Sequence, residues 1–511
     1  MPPDQTVPTP PIAFGIDPSE LTERLAGTRV AVDEALIGRL SSACASVDAS
    51  SASLAEAGRD WWPLAIRWAL AGSVPARPSV VARPQSAGEV AAVLAICNRA
   101  GVPVTAAGGR SGVCGSSVPV FGGVSLDCCG LAGIVDVDDT SLLVDVRAGT
   151  FGPELEGELR SGHGLTVGHW PQSMDLATVG GWIACRGAGQ YSTRYGKIED
   201  IVAGLEVVLA DGTVVRTGAM AGTGAGPRSA MGPDLTQLFV GSEGTLGVVT
   251  SARLRTHPVA ATERRAAYSF GSFADGLDAV RRTLRRGATP AVVRLYDARE
   301  SARSFDHRAG NVLIALDEGD GPIVDAAMAV LDEECRGADP LDTALVGRWL
   351  GHRNDVSALE SVTRAGIVVD TIEIAGPWAT LTSLYDDALT RLGDVGGLIA
   401  ASAHESHAYL DGACIYFTFA GQGADTGDDA WAESFYRQCW KAVLGATTAN
   451  GGSISHHHGI GLVRGPYLAD ALGAGFDVLR AVKTALDPNG ILNPGKLGLP
   501  SPFGTSPWAG R

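Results

Sequence analysis

Apolar and polar positions change their spacing along this chain of 511 residues. In the first half, short apolar runs separated by turn residues predict a series of strands. The clearest runs are Ser79–Arg83, Val104–Ala107, Gly123–Asp127, Val202–Leu209, Val214–Thr217 and Gly247–Leu254. Between the first two runs, Ser86 and Glu89 form a capping-box pattern ahead of apolar residues at helical spacing, which predicts a helix ending before Gly101.

The pattern changes near Pro258, where strands begin to alternate with amphipathic helices. The predicted strands are Ala266–Phe270, Val292–Tyr296, Val312–Leu316 and Cys414–Phe419. The predicted helices cover 273–286, 322–335, 378–392 and 428–448. Such alternation is typical of an α+β domain in which helices cover one face of a sheet. At the other end of the chain, we expect a disordered leader over residues 1–12 and mostly helix over 19–72.

The charge balance and the cysteines narrow the class of protein. Lys and Arg total 40 against 56 Asp and Glu, and a formal charge of −16 repels the phosphate backbone of a nucleic acid. Nine cysteines without a C-x-x-C pair suggest reduced thiols. No apolar stretch reaches about 18 residues, the length typical of a membrane-spanning helix. We therefore expect a cytoplasmic protein without a transmembrane segment or a nucleic-acid partner.

The first strong chemical signal is a glycine-rich turn between two predicted strands. It comprises Ala106, Ala107, Gly108, Gly109, Arg110, Ser111 and Gly112. Consecutive glycines let backbone N–H groups converge on an anion, so this turn predicts a nest for a pyrophosphate. A tight turn with a purely structural role is the alternative for a Gly-Gly pair. The segment is neither a G-x-G-x-x-G fingerprint nor a P-loop.

Several further motifs accompany this turn. They are Pro171–Trp182, Cys185–Gly189, Tyr195–Asp200, Asp234–Gly247, Gly412–Phe417, Ser453–Gly461 and Asp487–Lys496. In combination the motifs resemble the vanillyl-alcohol-oxidase-type FAD-linked oxidoreductases, and the later ones resemble the bacterial alkylglycerone-phosphate synthase-like branch. The resemblance covers roughly residues 60 to 497. It implies a two-domain α+β fold of the FAD-binding PCMH type.

The resemblance also implies a division of the chain and a set of FAD contacts. The expected segments are a leader and helical segment at 1–72, the FAD-binding domain at 73–260, a substrate-cap domain at 261–449, and a segment completing the active site and the FAD domain at 450–511. Besides 106–112, the implied FAD contacts are Pro171, Ser173, Thr178, Gly180, Gly181, Glu243, Gly244, Leu246, Gly247, Val248, Asn493 and Lys496. Arg110 stands where some relatives carry a His bonded to the flavin, so we expect non-covalent FAD.

Three consecutive histidines, His456, His457 and His458, are the candidate active centre. On an extended segment, His456 and His458 would face one way and His457 the other. A structural turn, a metal site and a substrate-binding or proton-transfer site are the three interpretations, and the resemblance favours the last. A metal is disfavoured because no carboxylate or Cys lies nearby in sequence. His404 and His407, also catalytic candidates, are one residue short of the H-E-x-x-H spacing, and a regular strand would place them on opposite faces.

Tyr416 is the remaining catalytic candidate. It shares a strand face with Cys414 and Thr418, opposite the apolar face of Ile415 and Phe417. A core tyrosine is the plain alternative. The synthases use the tyrosine at this place as an acid/base near the flavin, which implies that role for Tyr416. A phenol is a poor base at its ordinary pKa near 10 and needs a histidine or a lowered pKa.

One departure from the synthases concerns substrate charge. Their active-site Arg precedes a Val-Asp-Thr segment by about eleven residues, and here that count back from Asp370 reaches Leu359. Arg353 and Arg364 lie nearby but out of register. Loss of the guanidinium would weaken the binding of a phosphate ester. A local shift of the alignment is the alternative.

The implied chemistry is that of a flavoenzyme. In the synthases a proton leaves acyl-dihydroxyacetone phosphate, flavin N5 holds the substrate, and a fatty alcohol replaces the acyl group. We expect this chemistry first, an FAD-dependent oxidase or dehydrogenase of an alcohol or 2-hydroxy acid second, and a catalytically degenerate flavin-binding protein third. The expected partner is a small, lipid-like substrate, and peripheral membrane contact and a homodimer stay open.

Overall fold

The structure is a computed structural model and describes residues 13–25, 27–221 and 229–510. The expected leader at 1–12 lies outside the described residues. The strands are β1 (Thr22–Glu23), β2 (Ser46–Asp48), β3 (Ser73–Val74), β4 (Val80–Arg83), β5 (Val104–Ala107), β6 (Val124–Asp127), β7 (Ile134–Asp138), β8 (Leu143–Arg147), β9 (Leu165–Thr166), β10 (Val202–Val208), β11 (Val214–Arg216), β12 (Val248–Arg255), β13 (His257–Pro258), β14 (Thr262–Phe270), β15 (Val292–Tyr296), β16 (Asn311–Gly319), β17 (Asp339–Pro340), β18 (Val368–Pro377), β19 (Leu398–Ala408) and β20 (Gly412–Gly421).

Helices connect and cover these strands. They are α1 (Glu34–Ala43), α2 (Ser51–Glu56), α3 (Pro63–Leu70), α4 (Ala87–Ala100), α5 (Gly152–Glu158), α6 (Val179–Cys185), α7 (Ser192–Tyr195), α8 (Ile198–Ile201), α9 (Leu235–Phe239), α10 (Phe273–Arg285), α11 (Ala298–Phe305), α12 (Gly321–Glu334), α13 (Ala344–His352), α14 (Ala358–Arg364), α15 (Leu381–Gly393), α16 (Asp429–Ala449), α17 (Gly465–Leu472) and α18 (Ala474–Leu486). The mostly helical expectation for 19–72 is only partly right, because β1 and β2 interrupt it.

A mixed sheet in the order β2–β4–β6–β5 forms the first layer. The predicted capping signal is confirmed, since the Ser86 side chain accepts a hydrogen bond from the Glu89 N–H and α4 ends at Gly101 in the left-handed region. Strand β5 has the predicted bounds and leads directly into the glycine-rich turn. A second, antiparallel sheet in the order β11–β10–β12–β8–β7 lies beside it.

The second half of the chain forms a seven-stranded sheet in the order β17–β14–β16–β15–β19–β20–β18, called the cap sheet below. Helices α10, α12, α15 and α16 pack against it, which confirms the α+β expectation. The predicted apolar face of β20 is confirmed, because Ile415, Phe417 and Phe419 are fully buried in the core that these helices share. Burying each such side chain contributes about 1.5–3 kcal/mol. The opposite face is left for polar groups.

Glu405 on β19 supplies a test of how the buried sheet responds to pH. The residue is fully buried, and burial raises its pKa to about 8, although Arg294 acts in the opposite direction. A Glu in the unfolded chain titrates near pH 4.3. The folded state therefore holds the proton more tightly, and its stability falls as the pH rises from about 4 to about 8.

We predict that Glu405→Gln raises the melting temperature relative to wild type more at pH 8 than at pH 5. The difference in free energy of unfolding between variant and wild type changes by about 1 kcal/mol per pH unit within that window. Thermal unfolding at both pH values measures it. The exposed Glu158→Gln is the control and should show an equal effect at both pH values. A Glu405→Gln effect independent of pH would contradict the buried, protonated carboxyl.

Candidate active site

The pairing of four strands lines up polar side chains in one row across the cap sheet. Tyr296 pairs with His404, His404 pairs with Tyr416, and Tyr416 pairs with Glu373. Directly paired residues on antiparallel strands place their side chains on the same face. The register of β15, β19, β20 and β18 therefore carries residues that are far apart in sequence to one place, away from the apolar face.

His407 joins this face through an irregularity in β19. Glu405 pairs with Ile415 and His407 pairs with the adjacent Cys414, so Ser406 is an extra residue in β19. One extra residue shifts the alternation of side chains along a strand. The expectation that His404 and His407 face opposite sides is therefore wrong, and both line the same cavity.

The cavity has a volume of about 930 Å³ and lies between the glycine-rich turn and the polar row of the cap sheet. The catalytic candidates on its wall are Tyr416, His404, His407, His457 and His458. The predicted cofactor residues on its wall are Ala106, Ala107, Gly108, Gly109, Arg110, Ser111, Gly112, Pro171, Ser173, Thr178, Gly180, Gly181, Glu243, Gly244, Gly247 and Val248. The fold thus brings the two predicted groups to one cavity.

The hydroxyl of Tyr416 is held by two histidines. It lies 2.5 Å from Nε2 of His457 and 3.4 Å from Nε2 of His458. The predicted alternation along the histidine run is therefore wrong, because neighbouring histidines reach the same hydroxyl. Burial, together with the charges of Cys414 and Glu373, raises the pKa of Tyr416 well above its usual value. Burial lowers the pKa of His457 well below its usual value. Both groups are neutral at rest.

Glu373 explains the shape of the histidine run. Its carboxylate accepts hydrogen bonds from the backbone N–H groups of His456 and His458 and from the Ser455 hydroxyl. Arg464 pairs with it at 3.0 Å, and neither side chain is exposed. Although burial acts to raise the pKa of Glu373, Arg464 and the neighbouring histidines lower it. These hydrogen bonds to the ionised carboxylate hold the histidine run in a turn instead of a strand.

His404 is held in one orientation by two charged residues. Its Nδ1 lies 3.0 Å from a Glu300 carboxylate oxygen, and its Nε2 lies 2.9 Å from Nη2 of Arg294. Because a guanidinium can only donate, Nε2 of His404 is the bare nitrogen and Nδ1 carries the proton. Arg294 also donates through Nε to the Tyr296 hydroxyl at 3.0 Å. The His404 ring stacks on Tyr416 at a centroid distance of 4.9 Å, which positions the phenol.

The glycine-rich turn fits a dinucleotide because close packing leaves no room for side chains there, so that the backbone itself faces the ligand. A Cβ on Gly108 would lie 2.2 Å from Oγ1 of Thr178, and one on Gly109 would lie 1.8 Å from the Leu176 carbonyl oxygen. Arg110 adopts a φ of 55°, in the left-handed region. Buried polar atoms of Arg110, Ser117 and Trp182, among the described residues, have no hydrogen-bond partner. A polar ligand with several acceptors would satisfy the donors among them.

Four predicted residues are not among the described residues that line the cavity. Leu246 is buried in the apolar core, and His456 is not among the described wall residues. Nδ2 of Asn493 donates to the carbonyls of Ser116 and Glu243. Nζ of Lys496 donates to the Val118 carbonyl at 2.6 Å. Asn493 and Lys496 therefore hold the loops of the cavity wall together, and their direct contact with FAD stays a prediction.

The region around Leu359 bears on the expectation about substrate charge. Leu359 does line the cavity, and so does Arg353, whereas Arg364 forms an exposed ion pair with Glu360. The Arg353 guanidinium lies over the Tyr191 ring at 5.4 Å. Its Nε and Nη1 are buried, and no described residue accepts from them. A guanidinium is therefore present on this wall, six residues earlier than the family spacing indicated.

The structure also assembles the carboxylate and the thiol that a metal site lacked in sequence. Ligand atoms of Glu373, Cys414, His456 and His457 lie within 4.8 Å of one another. However, the Glu373 oxygens already accept from three N–H or O–H groups and from Arg464. Saturated carboxylate oxygens are poor metal ligands, so the geometry favours hydrogen bonding over metal binding. The absence of a metal stays a prediction.

Sequence reasoning missed the charged residues that support the site. Glu373, Arg294 and Arg464 were not singled out, nor was Lys197, whose Nζ donates to the His456 carbonyl at 2.7 Å. Arg294 lies alone in an apolar strand, as does Glu373 apart from the neighbouring Asp370 and Thr371. A charged residue inside a buried strand almost always has a partner, and that signal would have marked both.

Comparison with known proteins identifies the family. Residues 78–218 match the family described as FAD binding domain, and residues 260–497 match FAD linked oxidases, C-terminal domain. The uncharacterized FAD-linked oxidoreductase YgcU of Escherichia coli (strain K12) is 31% identical over 439 residues, covering 82% of this chain and 89% of the relative. The chain belongs to the FAD-linked oxidoreductase family. FAD is its cofactor, and the protein is an enzyme.

Two further similarities concern alkyldihydroxyacetonephosphate synthases. The synthase of Dictyostelium discoideum is 29% identical over 467 residues, covering 83% of this chain and 74% of the relative. A solved structure of an alkyldihydroxyacetonephosphate synthase matches with a TM-score of 0.76 at 23% identity, covering 96% of this chain and 89% of that one. The expected two-domain fold of the FAD-binding PCMH type is confirmed. No described helix of this FAD-linked oxidoreductase has the length and apolar character needed to cross a membrane.

We predict that Gly109→Ala gives a colourless, FAD-poor protein, whereas the wild type is yellow and releases intact FAD on acid denaturation. The added Cβ would collide with the Leu176 carbonyl and push the turn into the cofactor space. Absorbance of the purified protein and of the acid supernatant measures both expectations. Gly38→Ala is the matched control, because a Cβ there meets nothing within 4 Å. Flavin that precipitates with the polypeptide would contradict non-covalent binding.

Proposed function

We propose that this FAD-linked oxidoreductase performs alkylglycerone-phosphate synthase-like chemistry on an acyl-dihydroxyacetone phosphate or a closely related ketone. The observation that carries the proposal is the 2.5 Å contact between the Tyr416 hydroxyl and His457. This pair lies on the wall of the cavity that the glycine-rich turn also lines. The similarity to alkyldihydroxyacetonephosphate synthases supports the same chemistry.

The described residues divide the work between proton transfer and anion binding. Tyr416 takes a proton from the substrate carbon while its own proton passes to Nε2 of His457, so that no phenolate has to form in the buried site. When bound, FAD supplies an electron-accepting ring that can stabilise the substrate carbon. Arg353 offers two buried N–H donors to the phosphate, and charge-assisted bonds to a guanidinium are among the strongest in proteins.

The second candidate function is the oxidation of a 2-hydroxy acid. The open Arg353 donors that suit a phosphate also suit a carboxylate, which is the observation that favours it. Anaerobic mixing separates the two functions. Acyl-dihydroxyacetone phosphate with a long-chain alcohol should give an ether product without net bleaching of the flavin, whereas an oxidised hydroxy acid would bleach it. Bleaching by hydroxy acids without any ether product would overturn the first proposal.

We predict that Tyr416→Phe and His457→Ala each lower turnover by a factor on the order of 10² or more, because each removes a proton-transferring group. FAD content and melting temperature should stay near wild type, since neither side chain belongs to the glycine-rich turn. Steady-state rates and flavin absorbance of the same preparations measure this. A variant that loses flavin or unfolds would indicate a structural role instead.

We predict that Arg353→Met weakens the binding of acyl-dihydroxyacetone phosphate by about tenfold or more, since a desolvated phosphate loses its charged donors. Titration of the substrate against the flavin spectrum gives the dissociation constant. Arg364→Met is the matched control, because that guanidinium points away into an exposed ion pair. Leu359→Arg should bind the phosphate more tightly if it reaches the same wall. Equal dissociation constants for Arg353→Met and wild type would exclude Arg353 from the anion site.

A further inference from the structure

His456 occupies a different place from the other two members of the histidine run. His457 and His458 line the cavity, and His456 is absent from the described residues of its wall. The residue is partly exposed, although its Nε2 is buried and has no described hydrogen-bond partner. Nδ1 of His456 lies 2.8 Å from Nδ1 of His457. The His456 ring is therefore connected to the cavity by its hydrogen bond to His457 and by its stacking on His407.

The rings of Tyr416, His457 and His456 are linked by hydrogen bonds, and one arrangement of protons satisfies all of these bonds. A neutral imidazole has one N–H and one bare nitrogen. Since the neutral Tyr416 donates to Nε2 of His457, the proton of His457 is on Nδ1 and is donated to Nδ1 of His456. The proton of His456 is then on Nε2, the buried nitrogen without a described partner. This row of hydrogen bonds thus ends at the Nε2–H donor of His456, which has no described acceptor and lies on the side of His457 away from Tyr416.

The surroundings of His456 and His457 disfavour an extra proton that stays on either ring. Burial and then the Lys197 ammonium lower the pKa of His456 to about 3, although Glu373 acts in the opposite direction. Burial lowers the pKa of His457 too, helped by His458 and His407. The rings of His407 and Tyr409 lie 5.2 and 5.5 Å from that of His456. Because neither imidazole readily carries a positive charge, a proton that enters at Tyr416 has to displace another proton at the far end, on His456.

We propose that His456 is the outer end of a proton relay that passes the proton accepted by Tyr416, through His457, to water outside the substrate cavity. The relay rests on the proposed function, because it needs a substrate whose carbon loses a proton to Tyr416. It goes beyond that function by giving His456 a role that contact with the substrate does not require.

The proton balance of the relay closes without any net charge on the rings. The substrate C–H bond breaks, its electron pair stays on the substrate, and its proton reaches the Tyr416 oxygen. The Tyr416 proton moves to Nε2 of His457, the proton on Nδ1 of His457 moves to Nδ1 of His456, and the proton on Nε2 of His456 goes to water. Only the tautomers have changed. The reverse sequence delivers a solvent proton to the same carbon and restores them.

Hydrogen exchange tests the relay directly. FAD-loaded enzyme is incubated in D2O with acyl-dihydroxyacetone phosphate and no alcohol, and mass spectrometry counts deuterium on the substrate carbon. Wild type should incorporate deuterium, and His456→Gln should do so about tenfold more slowly or less, because an amide accepts the bond from His457 but cannot pass a proton on. The flavin spectral change on substrate binding should stay as in wild type.

A second variant separates loss of the relay from loss of structure. His456→Ala should exchange as slowly as His456→Gln, and imidazole added to the buffer should restore exchange. Exposed His163→Gln is the control and should exchange like wild type. Unchanged exchange in His456→Gln would overturn the relay. So would slow exchange in Ser192→Ala alone, because Oγ of Ser192 lies 2.8 Å from Nδ1 of His407 and marks a different route.

Failure of the proposed function gives a different result. In that case wild type neither exchanges nor forms ether product, but its flavin is reduced by a 2-hydroxy acid. Proton release to a pH indicator during that reduction then replaces exchange as the readout. His456→Gln should release the proton about tenfold more slowly. Equal release by variant and wild type would overturn the relay in this setting too.

Discussion

Glu373 and Arg464 form an ion pair 3.0 Å apart with neither side chain exposed. Glu373 belongs to the cap sheet, and Arg464 follows the histidine run and donates to the Gly459 carbonyl and to Cys114, just after the glycine-rich turn. One interaction therefore fixes the cap sheet, the histidine run and the cofactor side of the cavity relative to each other. Removing one partner would leave a buried charge, at a cost of about 3–5 kcal/mol. The acid/base group can be placed against the cofactor space only while this pair persists.

Burial also determines the protonation state of the histidine rings in this region. Burial first, then the positive charge of Lys197 near His456 and of Arg464 near His458, lowers the pKa of these rings although Glu373 acts in the opposite direction, so the rings are neutral. Neutral rings cannot hold a proton between steps, yet each can accept one while giving up another. The site is therefore suited to chemistry in which a proton leaves the substrate and later returns. A redox-neutral exchange of groups has this property.

The individual strands and the glycine-rich turn could be predicted from local pattern because they depend on local chemistry, whereas the two-domain fold and the other cofactor contacts were implied by the family resemblance. Strands Val104–Ala107 and Val292–Tyr296 have the predicted bounds, and the glycine-rich turn lines the cavity. The cap side depends on pairings between distant segments. The extra residue Ser406 that turns His407 inward and the carboxylate of Glu373 that bends the histidine run have no short-range signature. Counting residues did not indicate that Arg353 lines the cavity together with Leu359, because the helices between Arg353 and β18 set where each side chain points.

Two of the five arginines among the described residues of the cavity wall bear on which substrate is favoured. Arg294 already donates to Tyr296 and His404, whereas Arg353 keeps two buried donors open. Arg353 thus offers an open fork for an anionic end. Beyond it, Leu359 and Val362 make the wall apolar, and apolar surface gains little from a short hydroxy acid but is stabilised by contact with a hydrocarbon chain. A substrate with one anionic end and a long acyl chain would use both features, which supports the proposed phosphorylated acyl ketone over the hydroxy acid.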